Sequence, residues 1–317
     1  MKHSVLTITL NPALDKTVNL DQFEVGGLNR VSELRIDPGG KGINVAKVLR
    51  QFGESVITTG FVGGYTGEQL LTFLDSLQIR HEFIEVSGET RTNLKIVDNT
   101  KKITTEINER GPEILSGEAE VFKHQIGSLL DETAVLVLGG SVSPGISQDI
   151  YQALIEAAKL KEVKTILDAD GEALKHGLKA KPYAIKPNIH ELEQLLGKKL
   201  DTEEEIISAG NEFIRQGVSW VIVSMGGEGS LFISQDEVVR AHPFPITPKS
   251  TVGAGDSMVA AISACLLHGR SLEETARWAT AAGTVTASMP GTEVCSLEEV
   301  ETHLDQVQTF KRVNTNH

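Results

Sequence analysis

Short apolar runs rich in β-branched residues alternate along this chain with longer stretches of helical periodicity, and this alternation constrains the fold more than any other feature. The strand-like runs lie at residues 4–10, 56–61, 134–138, 165–168, 184–186 and 220–224. The helix-like stretches lie at residues 43–52, 67–77, 147–160, 191–196, 203–216 and 257–268. Several strand-like runs are apolar on both faces, which is typical of a parallel sheet that helices cover on both sides. We therefore predict a fold of the α/β class.

Two regions depart from this rhythm. Residues 17–36 and 92–107 alternate apolar with polar side chains, as half-exposed antiparallel strands do. They could pair into one small sheet beside the main body, or they could form two separate surface hairpins, and periodicity alone does not decide between these. The C-terminal stretch FKRVNTNH is expected to be a frayed tail.

The charge of the chain excludes several classes of function. Its 317 residues include 30 Lys and Arg against 43 Asp and Glu, so the net charge is −13 and a general basic surface for nucleic acid is absent. No apolar run approaches the roughly 18 residues of a membrane span, and the N-terminus lacks the build of a signal peptide. We therefore expect a cytoplasmic protein with no nucleic-acid or membrane partner. Cys265 and Cys295 form no CxxC motif and the His residues are scattered, so no metal cage made of protein side chains alone is expected.

A glycine-rich loop opens a helix-like stretch at PGGKGINVAKVL, residues 38–49. The glycines let a ligand approach the backbone, a helix N-terminus favours negative charge, and Lys41 adds a positive one. The spacing differs from that of a Walker A loop. The alternative interpretation is a simple glycine turn with an exposed lysine.

The second such loop is TVGAGDSMVA, residues 251–260. The backbone amides of Gly253, Ala254 and Gly255 can converge on an anion at the start of a helix expected to begin near Ser257. A carboxylate beside an anion site would repel a phosphate unless it had a chemical task, such as taking a proton from an attacking hydroxyl, and we assign that task to Asp256. The alternative is that Asp256 only caps the helix.

Three further charged residues are weaker candidates. Asp15 follows the first strand in NPALDKT, and Arg91 and Lys95 lie in GETRTNLK. A carboxylate suits sugar hydroxyls, and the planar guanidinium of arginine suits a phosphate. Each residue taken alone is more often a solvated surface charge, so these assignments depend on the fold bringing the residues together.

Four motifs occur in a fixed order along the chain: GGKGINVA, KPNIHELE, VSMGGEGSL and TVGAGDSMVA. Together they resemble the ribokinase-like, PfkB-type carbohydrate kinases over nearly the whole chain. The resemblance implies a three-layer α/β/α core with a mainly parallel sheet and a small β-sheet lid. It assigns residues 1–10, 38–90 and 109–317 to the core and residues 11–37 and 91–108 to the lid.

The resemblance also implies roles for individual residues. Asp256 resembles the catalytic base, and Gly253, Ala254 and Gly255 resemble the anion hole for the transferred phosphoryl group. The positions that resemble a sugar-phosphate site are Asp15, Gly39, Gly40, Lys41, Asn44 and Arg91, with Asn108 and Ser141 as weaker members. Those that resemble an ATP site are Lys186, Asn188, Ser224, Gly226, Gly227, Gly229, Thr251 and Val252. Glu191 resembles the acidic residue that positions Mg²⁺, through water.

Within the family, the motifs LNPALD, GFVGGYTGE and TRTNLK are most similar to those of 1-phosphofructokinases, with tagatose-6-phosphate kinases as near relatives. The implied reaction is ATP-dependent phosphorylation of fructose 1-phosphate at its 6-hydroxyl, and the alternative is phosphorylation of tagatose 6-phosphate at its 1-hydroxyl. A non-catalytic sensor of nucleotide or sugar phosphate is an alternative of a different class. The exposed lid sheet leaves an apolar face, so we also expect a homodimer through the lid.

Overall fold

The computed structural model describes residues 2–315, and within them the strands form one large sheet and one small sheet. The strands, numbered along the chain, are β1 (Ser4–Thr9), β2 (Ala13–Leu20), β3 (Glu33–Gly39), β4 (Val56–Val62), β5 (Arg80–His81), β6 (Ile84–Glu85), β7 (Arg91–Asp98), β8 (Ile103–Asn108), β9 (Thr133–Gly139), β10 (Lys164–Asp168), β11 (Ala184–Ile185), β12 (Trp220–Ser224), β13 (Ser230–Ile233), β14 (Glu237–His242) and β15 (Gln308–Val313). The helices are α1 (Lys41–Gln51), α2 (Gly64–Ser76), α3 (Ser116–Leu129), α4 (Ile150–Leu160), α5 (Gly171–Lys179), α6 (Ile189–Leu196), α7 (Glu203–Arg215), α8 (Ala254–Leu267), α9 (Leu272–Ala287) and α10 (Leu297–His303).

The large sheet has the strand order β15-β14-β13-β12-β11-β10-β9-β1-β4-β5, with β6 also paired to β4. Its pairs from β12 to β5 are parallel, and helices cover both faces. Val5 of β1 belongs to an apolar cluster with α1, α8 and α9, whereas Leu6 and Ile8 belong to a second cluster with α3, α4 and α7. Successive side chains of a strand point to opposite faces, so these clusters are the two cores of a three-layer α/β/α body. Within residues 2–315, no helix has the length and apolar character that a membrane span requires.

The small sheet joins the two regions that depart from the strand and helix alternation. Its order is β3-β2-β7-β8, so the two regions pair with each other instead of forming separate hairpins. The central pair β2 and β7 is parallel, whereas antiparallel pairing was expected throughout. Its strands extend across residues 13–39 and 91–108, and the exact limits of the lid segments stay a prediction.

Other sequence-based expectations were wrong. Residues 310–313 of the expected frayed tail belong to β15, which pairs antiparallel with β14 and extends the large sheet. Helix α8 begins at Ala254, three residues before the expected start near Ser257, because Gly253 takes the left-handed conformation with φ of 80° and turns the chain into the helix. Helices α3, α5, α9 and α10 lie outside the helix-like stretches named from the sequence.

Candidate active site

Asp256 lies at the third position of α8, behind the N-terminal amides of that helix. It is buried, and one carboxylate oxygen accepts a hydrogen bond from Asn44 Nδ2 at 2.8 Å. The N-cap position is occupied by Gly253, so Asp256 is not the cap and the capping alternative is excluded. The first amides of a helix have no partner inside the helix, so a buried carboxylate stands directly beside an anion-binding helix N-terminus.

Helix α1 brings the glycine-rich loop and Asn44 to the same place. Gly40 precedes the helix with φ of 122°, and a Cβ there would lie 2.4 Å from Thr9 Cγ2, so a larger residue would be both strained and crowded. Helices α1 and α8 pack against each other, which sets Asn44 opposite Asp256. The loop at residue 40 and the loop at residue 253 are therefore two walls of one site.

A buried carboxylate that the sequence did not single out as a site residue, Asp168 at the end of β10, joins two lysines. Its Oδ1 lies 3.1 Å from Lys41 Nζ and 3.3 Å from Lys186 Nζ. Burial alone would raise the pKa of Asp168, but the two ammonium groups hold it below its ordinary value. Burial alone would lower the pKa of Lys41, but the negative charges of Asp168, Glu191 and Asp256 raise this pKa above its ordinary value. Asp168 and Lys41 are therefore charged together in the middle of the site, with the Lys186 ammonium nitrogen 3.3 Å from the same carboxylate oxygen.

The environment of Asp256 suits a general base. Burial, followed by the negative charge of Asp168, raises the pKa of Asp256 to about 6, against the opposing effects of Asn44, Lys41 and Lys186. A base is most effective when its pKa lies near the working pH, because it is then both ionised and able to take a proton. Lys186 also approaches the N-terminus of α8, since its Nζ lies 3.5 Å from the position that a Cβ on Gly255 would occupy.

The small sheet contributes a polar face to one side of the site. Asp15 accepts hydrogen bonds from Asn93 Nδ2 at 2.9 Å and from Lys95 Nζ at 3.5 Å. Gly39 packs over this carboxylate, because a Cβ at Gly39 would lie 2.7 Å from Asp15 Cγ. Asn108 is exposed and lies in register with Asn93 on the neighbouring strand. Three of the predicted sugar-side residues, Asp15, Gly39 and Asn108, therefore share this face.

Arg91 is held by backbone carbonyls at the edge of the same face. Its Nε and Nη2 donate to the carbonyl oxygen of Asn11 at 3.2 and 2.9 Å, and Nη1 donates to that of Glu109 at 3.1 Å. The Asn11 side chain in turn lies 3.5 Å from Ser141 Oγ. An arginine that is bonded to backbone oxygens keeps its other N–H groups in a fixed direction, which is useful for holding a phosphate.

On the other side of Asp256, a cavity of about 840 Å³ opens between the large sheet and helices α8 and α9. The predicted nucleotide-side residues that line it are Lys186, Asn188, Ser224, Gly226, Gly227, Gly229 and Thr251. It is also lined by Lys41, which the sequence grouped with the sugar side, and by Gly253, Ala254, Gly255 and Asp256. Val252 is partly exposed and is not among the lining residues.

Part of the lining of this cavity is apolar or made of small side chains. The segment at residues 243–248 supplies Pro243, Phe244, Pro245, Ile246 and Pro248. Helix α9 supplies small side chains, Thr280, Thr284 and Ala287, together with Gly283. The cavity therefore combines apolar side chains with glycine amides, lysines and carboxylates, as small-molecule sites commonly do.

Glu191 lines the polar part of the cavity at the third position of α6. Glu191 Oε2 accepts a hydrogen bond from the backbone N–H of Asn188 at 2.8 Å, and Asn188 Oδ1 accepts one from the backbone N–H of Glu191 at 2.9 Å. This capping box fixes the carboxylate at the cavity wall. Within residues 2–315, no group of three or more His, Cys, Asp or Glu side chains is arranged to hold a metal ion by itself. Mg²⁺ uses few protein carboxylates when substrate phosphates complete its coordination, so Glu191 and Asp168 fit a phosphate-borne ion.

The chain is similar to known carbohydrate kinases over nearly its whole length. The family model described as pfkB family carbohydrate kinase matches residues 8–299. A 1-phosphofructokinase from Bacillus subtilis is 39% identical over 89% of this chain and 92% of its own length. A tagatose-6-phosphate kinase from Staphylococcus epidermidis is 36% identical over 97% of this chain and 99% of its own length. The tetrameric inhibited form of phosphofructokinase-2 from Escherichia coli superposes with a TM-score of 0.89 and 30% identity, covering 96% of this chain and 99% of that one.

The chain belongs to the pfkB family of carbohydrate kinases. The expected ribokinase-like α/β fold with a second, smaller sheet is confirmed, and so is the assignment to the phosphotransferases. The chain is a sugar-phosphate kinase, which is the activity that the named relatives have in common. The two relatives of similar identity are named for different ketose phosphates, so the comparison does not decide which sugar phosphate this chain accepts.

Proposed function

We propose that this protein is an ATP-dependent kinase that phosphorylates the 6-hydroxyl of fructose 1-phosphate to give fructose 1,6-bisphosphate. The observation that supports this best is the position of Asp256, a buried carboxylate that lines the cavity and accepts a hydrogen bond from Asn44 of α1, the helix that follows β3 of the small sheet. An acceptor hydroxyl on the lid side can give its proton to Asp256 while the α8 amides hold the phosphoryl group on the other side. The cations Arg91 and Lys95 on the lid side suit an acceptor that already carries a phosphate.

In this mechanism, Asp256 removes the proton as the acceptor oxygen attacks the terminal phosphorus of ATP and ADP leaves. The amides of Gly253, Ala254 and Gly255 stabilise the charge on the transferred group, and Lys41 and Lys186 add positive charge beside it. Asp15 orients the sugar by accepting hydrogen bonds from its hydroxyls. Mg²⁺, held with the phosphates near Glu191 and Asp168, would supply charge neutralisation. Closure of the lid sheet over the sugar would keep water from Asp256 and so limit hydrolysis of ATP. A cytoplasmic location stays a prediction.

The choice of acceptor is the first test. Fructose 1-phosphate and tagatose 6-phosphate carry phosphate at opposite ends. The two sugars must therefore bind in opposite orientations to bring the free terminal hydroxyl to Asp256. We expect kcat/KM, measured by ADP release with purified protein, to be higher for fructose 1-phosphate than for tagatose 6-phosphate. Unphosphorylated fructose is the control, and its kcat/KM should be lower than that of both because Arg91 and Lys95 have no phosphate to bind. A higher kcat/KM for tagatose 6-phosphate would contradict the proposed substrate while leaving the kinase assignment intact.

We also propose that two chains associate through the outer face of the small sheet. The β-sheet register puts Leu34, Ile103 and Ile107 on the face opposite to Asp15, and each of these side chains is more than half exposed. Exposed apolar side chains gathered on one sheet face are typical of a protein interface. The assembly named for the Escherichia coli relative is consistent with self-association in the family.

The oligomeric state can be measured by light scattering at micromolar concentration. We expect a mass about twice the 34.2 kDa of one chain. Leu34→Glu should lower the mass toward that of a monomer because it places a charge on the proposed interface. Leu160→Glu is the matched control, since Leu160 is 89% exposed at the end of α4, away from the small sheet. A monomeric wild-type protein, or equal dissociation by both variants, would contradict the lid interface.

A further inference from the structure

Arg240 on β14 reaches the loop of residues 225–229, which we call the glycine loop. Nη2 of Arg240 donates to the carbonyl oxygen of Glu228 at 2.7 Å, and Nη1 lies 3.8 Å from Met225 Sδ. Its Nε lies 3.3 Å from a carboxylate oxygen of Glu203, at the start of α7. The Arg240 side chain is only 14% exposed, whereas that of Glu203 is 38% exposed. Arg240 therefore connects the glycine loop to the rigid body of the sheet.

The glycine loop joins β12 to β13, and the pairing of Ser224 with Ser230 holds its two ends together. Inside the loop, the amide of Met225 donates to the carbonyl of Gly229 at 2.8 Å, and the amide of Gly229 donates to that of Gly226 at 3.0 Å. These bonds fix the shape of the turn but do not attach it to a neighbour. Glycine loses more conformational freedom on ordering than any other residue, so contacts from outside the turn help to keep a loop with three glycines ordered.

Strand β14 supplies two such contacts at adjacent positions. A Cβ on Gly229 would lie 2.1 Å from the carbonyl oxygen of Ala241, so the end of the loop packs directly on the β14 backbone and only glycine fits. Arg240, the residue before Ala241, holds the middle of the loop through Glu228. The opposite side of the same loop lines the cavity through Gly226, Gly227 and Gly229. One side of the loop is thus attached to β14, and the other faces the proposed nucleotide.

We propose that Arg240 is a positioning residue that fixes the glycine loop in the conformation that binds the nucleotide. Arg240 is not among the residues that line the cavity, and its guanidinium is paired with Glu203. The inference rests on the proposed nucleotide role of the cavity. A ligand that binds an ordered loop avoids the cost of ordering it, so loss of Arg240 should weaken nucleotide binding and leave acceptor binding unchanged.

The structure offers a matched control on the neighbouring strand. Arg312 of β15 lies 3.3 Å from the other carboxylate oxygen of Glu203, so Arg240 and Arg312 share one anionic partner. Arg312→Gln removes the same charge from the same sheet edge, next to the same glutamate. In the contacts that the structure describes, Arg312 pairs with Glu203 and Glu204 rather than with the glycine loop. A difference between the two variants therefore reports the loop contact and not the loss of charge.

The test measures ADP affinity by calorimetry and the KM values for ATP and for the sugar phosphate. For Arg240→Gln we expect ADP affinity to fall and the KM for ATP to rise by about 10-fold, the scale of a lost hydrogen bond to a charged group. The KM for the sugar phosphate and the kcat at saturating ATP should stay near the wild-type values. The ADP affinity of Arg240→Lys should lie between those of the wild-type protein and Arg240→Gln. A single ammonium group can reach the carbonyl oxygen of Glu228, but unlike the planar guanidinium it cannot contact Glu203 at the same time. Arg312→Gln should bind ADP like the wild-type protein.

Three results would overturn the inference. The first is unchanged ADP affinity in Arg240→Gln, and the second is equal weakening in Arg312→Gln. The third is a parallel rise of both KM values, which would indicate a general structural defect. If Arg240→Gln melts too early to be assayed, the Lys variant gives the answer by the same comparison. Failure of the wild-type protein to bind ADP would instead overturn the nucleotide role of the cavity, and so the proposed function itself.

Discussion

Replacing Asp256 with asparagine is expected to lower kcat by about 10²- to 10⁴-fold, the usual contribution of a general base. Asparagine has nearly the same shape and can still accept a hydrogen bond from Asn44, but it cannot take a proton. The affinities for ADP and for the sugar phosphate should therefore stay near those of the wild-type protein. This separation of turnover from binding is what distinguishes a catalytic base from a residue that only supports the fold.

The pH dependence gives an independent check on the same assignment. Burial and the charge of Asp168 raise the pKa of Asp256 to about 6, and the base acts only when it is ionised. The kcat/KM of the wild-type protein should therefore fall as the pH drops through about 6, and the residual rate of Asp256→Asn should lack this step. Asp201→Asn is the control, because Asp201 is an exposed carboxylate just before α7. A variant with near-normal kcat, or one that keeps the acidic step, would contradict the role of Asp256.

The part of the site that the sequence revealed is the part that short local patterns encode. The left-handed Gly253 and the amides that follow it need glycine and alanine, and a carboxylate in that setting is unusual enough to indicate chemistry. The central parallel strands are also predictable because both of their faces are apolar. The alternation of residues 17–36 and 92–107 indicated half-exposed strands but not how they pair. Parallel pairing of β2 with β7 depends on the route of the chain between them, which no local pattern specifies.

The residues that sequence reasoning missed act through partners that are distant in the chain. Asp168 is the last residue of a strand, and its role is apparent only when the fold brings Lys41 and Lys186 to the same oxygen. Asn93 is similar, since it looks like an ordinary strand residue until its amide is seen to hold Asp15. The stretch that forms β15 resembles a tail because it is charged, but strands at the edge of a sheet often carry charged side chains as well. A pattern within one segment cannot distinguish these cases.

Asp168→Asn is expected to lower the free energy of unfolding by about 3 kcal/mol, as removal of one partner from a buried ion pair does. The variant leaves two ammonium groups near each other without the carboxylate between them, and the Lys186 side chain is only 5% exposed. The value is at the lower end of the usual range because Lys41, at 33% exposure, can turn toward water. Since the pKa of Asp168 lies below its ordinary value, its stabilising effect is present at neutral pH and is lost only in acid.

The measurement is denaturant unfolding of Asp168→Asn, of Lys186→Met and of the double variant at neutral pH. If Asp168 stabilises by balancing the lysines, the double variant should be more stable than the sum of the single effects predicts, because removal of Lys186 leaves one ammonium fewer to balance. Additive losses would indicate that packing or hydrogen bonding, and not charge, accounts for the effect.

The same substitution should also change catalysis in a direction that the charges determine. The negative charge of Asp168 is one of the causes that raise the pKa of Asp256, whereas Lys41 and Lys186 lower it. Removing Asp168 takes away a negative charge that raises the pKa of Asp256 and leaves the two lysines that lower it. The pKa of Asp256 should therefore fall. The acidic limb of the kcat/KM profile should therefore move to lower pH in Asp168→Asn, even if the rate at its plateau changes. A limb that stays in place, or moves to higher pH, would mean that Asp168 does not act on the base through its charge.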